Sequence, residues 1–407
     1  MIPVRILFVT WDGPQVAYLE SLYLPIFEAL MRRGHSVHVL QFTWADAAQR
    51  AAIQVRCEAA GCTYRSVSVL RTPVAAGGLI TAVLGRWHVM GEIKRHAIDV
   101  VMPRSTLPAL AAGLALKQAT HVRMVFDADG LPHDERVDFE GWSPHGLAYR
   151  VLRDMEASAV RRADVVLTRS RKAIDILAAR AGGGTAEEKF LVVGNGRDAE
   201  RFRPASDAER AATRRELGVS DAAPFVVYAG SIGEQYCLAE MLSFFRRVRA
   251  LASDASLLLL TGSPEAAERG LDGFDDLRPH CQIRHVAADD VARFLGAADL
   301  GLALRRPTFS MQAVAPIKLG EYLLCGIPVL ATQGIGDTDA LLTPDVGRSL
   351  AAMTPDTLDA AADWFVRDVL QDREGFRARS RKAGLQNFNL AATVEAYANA
   401  IARVASR

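Results

Sequence analysis

The chain has 407 residues, 50% of them hydrophobic and 23% charged, with 48 Lys and Arg against 47 Asp and Glu. This length exceeds one ordinary α/β core and predicts two or three domains. The net charge of +1 excludes a global field toward nucleic acid or membranes, so any such binding needs a local patch. Cys57, Cys62, Cys237, Cys281 and Cys325 lack paired CxxC spacing, which predicts buried free thiols in a reducing compartment rather than disulfides or a metal site. The opening MIPVRILFVTWDG is unlike a signal peptide, and no stretch reaches the ~18 uncharged apolar residues of a membrane span. The expectation is a cytoplasmic protein.

In chain order, short apolar strands alternate with helix-length segments, the pattern of doubly wound α/β domains. Strands are predicted at 4–10, 36–42, 64–70, 100–102, 122–126, 165–168 and 190–193, and helices at 16–33, 46–60, 107–117, 145–162 and 171–181. Gly34 caps the first helix. The apolar segment GLITAVLGRWHVMGEIKRH, 78–96, reads either as a buried amphipathic helix or as one resting on a membrane surface. AGGGT, 181–185, reads as a surface loop. A second series has strands at 225–229, 256–260, 282–286, 299–304 and 327–331, with helices at 238–250, 288–295 and 316–324. NGRDAERFRPASDAE, 195–209, joins the two series, and its turn signals place a boundary near Pro204. The predicted division is 1–204, 205–385 and a closing segment 386–407 that packs back on the first domain, with a last helix from Leu390 to about Val404.

In open α/β sheets, ligands bind beyond the carboxyl ends of the strands, and two facing domains would line a cleft from both sides. The first strand ends Thr10-Trp11-Asp12-Gly13-Pro14, where Gly13 allows a close backbone approach or simply a turn. The second series begins with a strand ending YAGSIGEQ, 228–235, whose Gly230 and Ser231 read as a phosphate cradle or a βα turn. The next strand ends LTGSP, with Thr261, Gly262 and Ser263. Further on, PIKLGEYLLCGIPVLAT, 316–332, opens a helix at Pro316, puts Lys318 in its first turn and Glu321 at i+3, and stops it at Gly326. Free backbone N–H groups and an ammonium suit phosphate, and a carboxylate suits sugar hydroxyls. A nucleotide sugar offers both kinds of group. Arg305 and Arg306 close the strand before this helix and read either as cleft cations or as a solvated loop.

These motifs resemble the retaining nucleotide-sugar glycosyltransferases of the GT-B fold, the group 1 or family 4 type. NGRDAERFRP is similar to that family's NGVDxxRFxP signature, and YAGS, LLLTGSPE, VAADDVARFLGAADLGLAL and PIKLGEYLLCGIPVLAT follow in the family's order. The resemblance implies two Rossmann-like domains facing across a cleft. It implies that Glu321 binds the donor ribose, Lys318 lies beside the diphosphate, and Gly230 and Ser231 close on the phosphates. Thr261 to Ser263 and 286–288 would meet the base, and Gly13 would turn over the donor phosphates.

Two departures stand out. Ala313 occupies the position where many relatives carry a second glutamate, and Ser231 replaces a common arginine; a lysine usual within 232–237 is absent. Lys318, Arg305 and Arg306 are then the cations available to the diphosphate. Asp127, in FDADG after a first-series strand, is the expected cleft carboxylate, with Asp129 or a plain turn as alternatives; His133 and His145 lie nearby. The implied reaction moves a sugar to an acceptor hydroxyl, saccharide or lipid-linked, with no metal or other cofactor, with Lys318 and Asp127 as catalytic residues. Peripheral membrane contact would accompany a lipid-linked acceptor. A nucleotide-sugar epimerase of the same fold and a non-catalytic nucleotide-binding protein are the alternatives.

Overall fold

In a computed structural model, residues 3–72, 74–184 and 187–405 are described. The chain folds into two compact units, Met1–Gly194 with Ala391–Arg407, and Asn195–Leu390. Among the described residues, the first unit is built on seven strands: β1 (Arg5–Trp11), β2 (Ser36–Thr43), β3 (Thr63–Ser68), β4 (Val100–Pro103), β5 (Arg123–Asp127), β6 (Val165–Thr168) and β7 (Phe190–Val192). All pairings are parallel, in the order β3-β2-β1-β4-β5-β6-β7. The order reverses between β1 and β4, where crossovers leave to opposite faces and open a crevice at the strand ends. β4 and β6 are buried along their whole length, as unbroken apolar runs between two helix layers must be.

Helices cover the sheet where the apolar spacing requires. Val89, Met90 and Ile93 of the helix Val74–His96 pack with Leu7, Val9, Leu40 and Phe42 of β1 and β2, and with Ala111 and Ala112 of Thr106–Ala115. Asp46 and Gln49 form a capping box that starts the helix Ala47–Ala59. The first predicted helix, 16–33, is not continuous: a π-helical turn, Leu19–Tyr23, precedes the α-helix Leu24–Arg32. Pro25 lacks the N–H that a continuous α-helix would use one turn back, and the wider turn absorbs the gap. Gly34 follows at φ +94°, as a cap. Of AGGGT, residues 181–184 form a turn and Thr185 lies outside the described residues.

The second unit repeats the plan with β8 (Phe225–Ala229), β9 (Ser256–Leu260), β10 (Cys281–Arg284), β11 (Leu300–Ala303), β12 (Val329–Thr332) and β13 (Gly347–Leu350). Its order is β10-β9-β8-β11-β12-β13, all parallel, so the reversal lies between β8 and β11. β13 was not predicted: GRSL has only one large apolar residue, and pairing with β12 makes it a strand. Phe244, Phe245 and Met241 fill the core on one face of this sheet, and Phe225, Leu323 and Phe388 on the other.

The units divide at Gly194, ten residues before the expected Pro204. Phe202 is buried in the second unit's core, and Arg381 donates to the carbonyls of Ala199, Phe202 and Leu324, so the NGRDAERFRP segment is part of that unit. The closing helix Leu390–Ala405 belongs to the first unit, where Glu395 pairs with Arg33 at 2.8 Å and Arg403 donates to the Glu188 carbonyl. The cysteines are free, with Cys281 half-buried and the others buried; burial pushes the Cys57 and Cys62 thiols up to about 12. Among the described residues, no helix is long and apolar enough to cross a membrane.

Candidate functional site

In the second unit, the strand ends at the reversal point and the helix Ile317–Leu324 converge on Lys318. Tyr322 fixes this helix: its hydroxyl accepts from the Ala229 N–H at 2.8 Å and donates to the Leu302 carbonyl at 3.2 Å, tying β8 and β11 to one turn. Gly301 leaves room for that ring, since a Cβ there would stand 2.5 Å from Tyr322 Cδ2. Pro316 precedes the first turn with no side-chain cap, and its carbonyl accepts from the Leu319 N–H at 3.2 Å.

Lys318 is 8% exposed, and its Nζ meets no hydrogen-bond acceptor among the described residues. The ammonium lies 3.9 Å from the centroid of the Tyr228 ring and 5.0 Å from that of Tyr236. Burial, and secondarily the charge of Arg305, hold its pKa well below the ordinary lysine value. Gly230 sits at φ +151°, a backbone conformation that favours glycine, and a Cβ there would lie 2.7 Å from Lys318 Nζ and displace the end of that side chain. A buried cation without an acceptor is costly unless something anionic joins it.

Arg305 continues from β11, its N–H bonded to Thr332 Oγ1 at 3.0 Å and its guanidinium 4.8 Å over the Tyr236 ring. Its Nε is buried without a partner among the described residues. Tyr236 thus lies within 5.0 Å of two cations. Arg306 turns away: it is exposed, and only a 4.0 Å contact links it to Glu234. Ser231 lends its carbonyl to the Tyr228 hydroxyl. Gly262 and Ser263 are exposed in a turn where the Ser263 N–H donates to Thr261 Oγ1 at 3.2 Å, at the end of β9, beside β8 on the same edge of the sheet. The ring Nδ1 of His285 lies 3.3 Å from the Thr261 carbonyl.

Glu321 follows Lys318 by one turn, and its Oε1 accepts from Arg197 at 2.7 Å, both side chains being 12% exposed. Asn195 donates to the Ala315 carbonyl at 2.7 Å, so NGRD is bound just before the 316–332 motif and again at Glu321 in its first turns. Arg197, Tyr228, Tyr236 and Tyr322 were not singled out in the sequence. The arginine stood in plain view inside NGRD, whereas nothing in local spacing marks the tyrosines.

The first unit carries a second charged group at its own reversal point. Asp12, after β1, pairs with Arg104, after β4, at 2.8 Å; Arg104 also reaches Asp129 at 2.5 Å and lies 4.9 Å over the Tyr18 ring. Asp127 departs from the expected cleft carboxylate: it is 0% exposed, so no ligand reaches its oxygens in this arrangement. Its oxygens accept from Arg169 at 2.8 and 2.9 Å and from the hydroxyls of Tyr23 and Tyr397, each at 3.0 Å. The π turn aims Tyr23 inward, and Tyr397 comes from the closing helix, so Asp127 joins three distant segments. Asp129, whose side chain is 24% exposed, is the carboxylate of FDADG that reaches solvent. Gly13 lies in this unit under the Trp44 indole, where a Cβ would be 2.2 Å from Trp44 Cζ2. His133 is buried with Nε2 at 2.8 Å from Thr106 Oγ1, and burial pushes its pKa down to about 4. His145 is exposed.

Known proteins resemble this chain in part of its sequence and in its fold. The sequence profile described as Glycosyltransferase Family 4 matches residues 24–201. A GDP-mannose-dependent monoacylated alpha-(1-6)-phosphatidylinositol monomannoside mannosyltransferase from Corynebacterium glutamicum is 26% identical over 267 residues. That match covers 64% of this chain and 65% of the relative, so the chain spans just under two thirds of its length. A glycosyltransferase from Rickettsia africae superposes with a TM-score of 0.77 at 13% identity, covering 100% of this chain and 99% of that one. Anabaena HepE in complex with UDP-glucose gives 0.73 at 16% identity, covering 98% and 99%. The chain has the GT-B fold, and residues 24–201 are similar to the family 4 glycosyltransferases.

Ala313 is 0% exposed, and Ser231 lends its carbonyl to the Tyr228 hydroxyl, so neither adds a charge beside Lys318 and Arg305.

Proposed function

We propose that this chain is a retaining glycosyltransferase of the family 4 type that moves a sugar from a nucleoside diphosphate sugar to an acceptor hydroxyl, in polysaccharide, glycolipid or other glycoconjugate biosynthesis. The observation that carries this reading is the buried Lys318 ammonium with no acceptor among the described residues, in the first turn of a helix and against Gly230. Such a site suits a group with dense negative charge and several acceptor oxygens, and a diphosphate has both. That HepE is seen with UDP-glucose, and that the Corynebacterium relative is a GDP-mannose-dependent mannosyltransferase, supports the donor class.

In this assignment Lys318 and Arg305 receive the diphosphate, and Gly230 admits it to the backbone. Glu321, oriented by Arg197, accepts from the ribose hydroxyls. Thr261 to Ser263 stand at the base end. As the bond from the anomeric carbon to the diphosphate breaks, charge grows on the leaving oxygen, and the fixed cations and helix amides stabilise it. The acceptor oxygen bonds to the same face of the sugar, and its proton passes to the leaving phosphate, so no protein base is required. No metal is assigned to this charge, because the two cations supply it. Asp127 is assigned a holding role, through Arg169 and Tyr397, and Asp129 with Arg104 is the first unit's solvent-reaching polar pair for an acceptor.

The test is Glu321→Ala with donor affinity and turnover measured. A fall in donor affinity is expected; unchanged binding and rate would overturn the ribose assignment. Incubation with donor alone separates an epimerase, which would form an epimer without acceptor.

A further inference from the structure

The helix Val74–His96 is apolar on two opposite sides. One side is core: Ala82, Val89, Met90 and Ile93 are buried, and Gly85 lets the helix approach so closely that a Cβ there would be 2.8 Å from Phe42 Cζ. The other side faces solvent, with Ile80 49% exposed, Val83 40%, Leu84 52% and Trp87 55%. Their spacing, i, i+3, i+4 and i+7, makes one continuous stripe. An exposed tryptophan with three aliphatic neighbours on one face is not scattered surface apolarity.

Charge follows the same stripe. Lys94 and Arg95 are exposed about two turns beyond Trp87, and the Arg86 guanidinium lies 4.7 Å over the Trp87 ring. Leu70, 52% exposed, and the exposed Arg71 precede the helix. The helix has one acidic residue, Glu92, and it is turned inward, 4% exposed and paired with Arg65 at 2.6 Å. The outward face therefore presents an apolar half and a basic half and contributes no exposed carboxylate.

We propose that this face of the first unit docks on an anionic lipid bilayer. The helix lies in the plane of the surface, Ile80, Val83, Leu84 and Trp87 enter the boundary between headgroups and acyl chains, and Arg71, Arg86, Lys94 and Arg95 meet lipid phosphates. Tryptophan prefers this depth, because its ring is apolar and its N–H is not. A second copy of the chain fits the face less well. Paired in either direction, the stripe would set Lys94 and Arg95 against their own kind or against apolar side chains, and no carboxylate of the helix would answer them. A lipid phosphate answers them directly.

Lipid binding is read without donor or acceptor, so its outcome is separate from that of the transferase reading. The full chain is sedimented with vesicles of phosphatidylcholine, and with vesicles of phosphatidylcholine mixed with phosphatidylglycerol. Binding is expected for the anionic mixture, weakening as salt rises. The Leu84→Ser, Trp87→Ser pair abolishes it, and Lys94→Gln, Arg95→Gln lowers the affinity by about tenfold or more. Brominated lipid quenches tryptophan fluorescence in the native chain, and Trp87→Phe keeps the binding but loses most of that quenching. All these side chains are exposed, so melting temperatures hold; if the serine pair fails to fold, the glutamine pair carries the test. No binding to the anionic vesicles, or binding undiminished in these variants, overturns the proposal. So does a dimer in sedimentation velocity that the serine pair dissolves.

Discussion

Replacing Lys318 with Met removes the charge and keeps most of the side-chain volume. In the ligand-free chain this is a relief, because the ammonium is 8% exposed and has no acceptor. In the reacting complex it is a loss. Two unit charges ~4 Å apart interact by ~4 kcal/mol at an effective dielectric of about 20, and removing one preorganised donor to a developing anion costs ~3–4 kcal/mol. At ~1.4 kcal/mol per tenfold, kcat is expected to fall by about 10² to 10³, with a much smaller change in KM. The pH dependence has a definite sign. Because the folded-state pKa lies below the unfolded value of 10.5, the unfolded chain binds the extra proton between the two. Ligand-free stability therefore rises with pH through that window, and Lys318→Met abolishes this rise. Nucleoside diphosphate restores the charge, so its binding takes up a proton and weakens as pH rises through the same window. Calorimetric titration in buffers of different ionisation heat reads the uptake directly. Turnover that survives the substitution, together with no proton uptake, would refute the reasoning.

Four other outcomes follow from the geometry. Gly230→Ala forces a methyl to 2.7 Å from Lys318 Nζ at φ +151°, and ~1–3 kcal/mol of strain should weaken nucleotide binding about tenfold or more in a titration. Arg197→Ala leaves Glu321 without its 2.7 Å partner, and donor KM should rise more than kcat falls, by steady-state kinetics. Asp127→Asn leaves Arg169 buried beside a neutral group and should cost ~3–5 kcal/mol, seen as a lower midpoint for the first unit in denaturant while nucleotide binding is unaltered. Dialysis against EDTA should leave turnover within about twofold, since Lys318 and Arg305 supply the charge a metal otherwise would.

The parts of this molecule visible in the sequence were those with local causes. Apolar runs marked β1, β4, β6 and β8, and Pro316 with Gly326 bounded the helix Ile317–Leu324, because strand burial and helix capping act over a few residues. β13 escaped because GRSL becomes a strand only by pairing with β12. Asp127 was placed correctly at a strand end and given the wrong surroundings, since Tyr397, 270 residues away, closes over it. Arg197 beside Glu321 is a contact across 124 residues that NGRD contains but does not announce. The helix Val74–His96 left two readings open, and its long apolar content concealed the division into a buried side and an exposed one.

The central claim is that the buried ammonium at the reversal between β8 and β11 is a diphosphate site. A crystal structure with whichever of UDP-glucose, ADP-glucose and GDP-mannose raises the melting temperature most tests it directly. The account predicts a phosphate oxygen within hydrogen-bond distance of Lys318 Nζ, with the ribose hydroxyls on Glu321. A nucleotide sugar bound elsewhere, with Lys318 still buried against Tyr228 and without an acceptor, would contradict it.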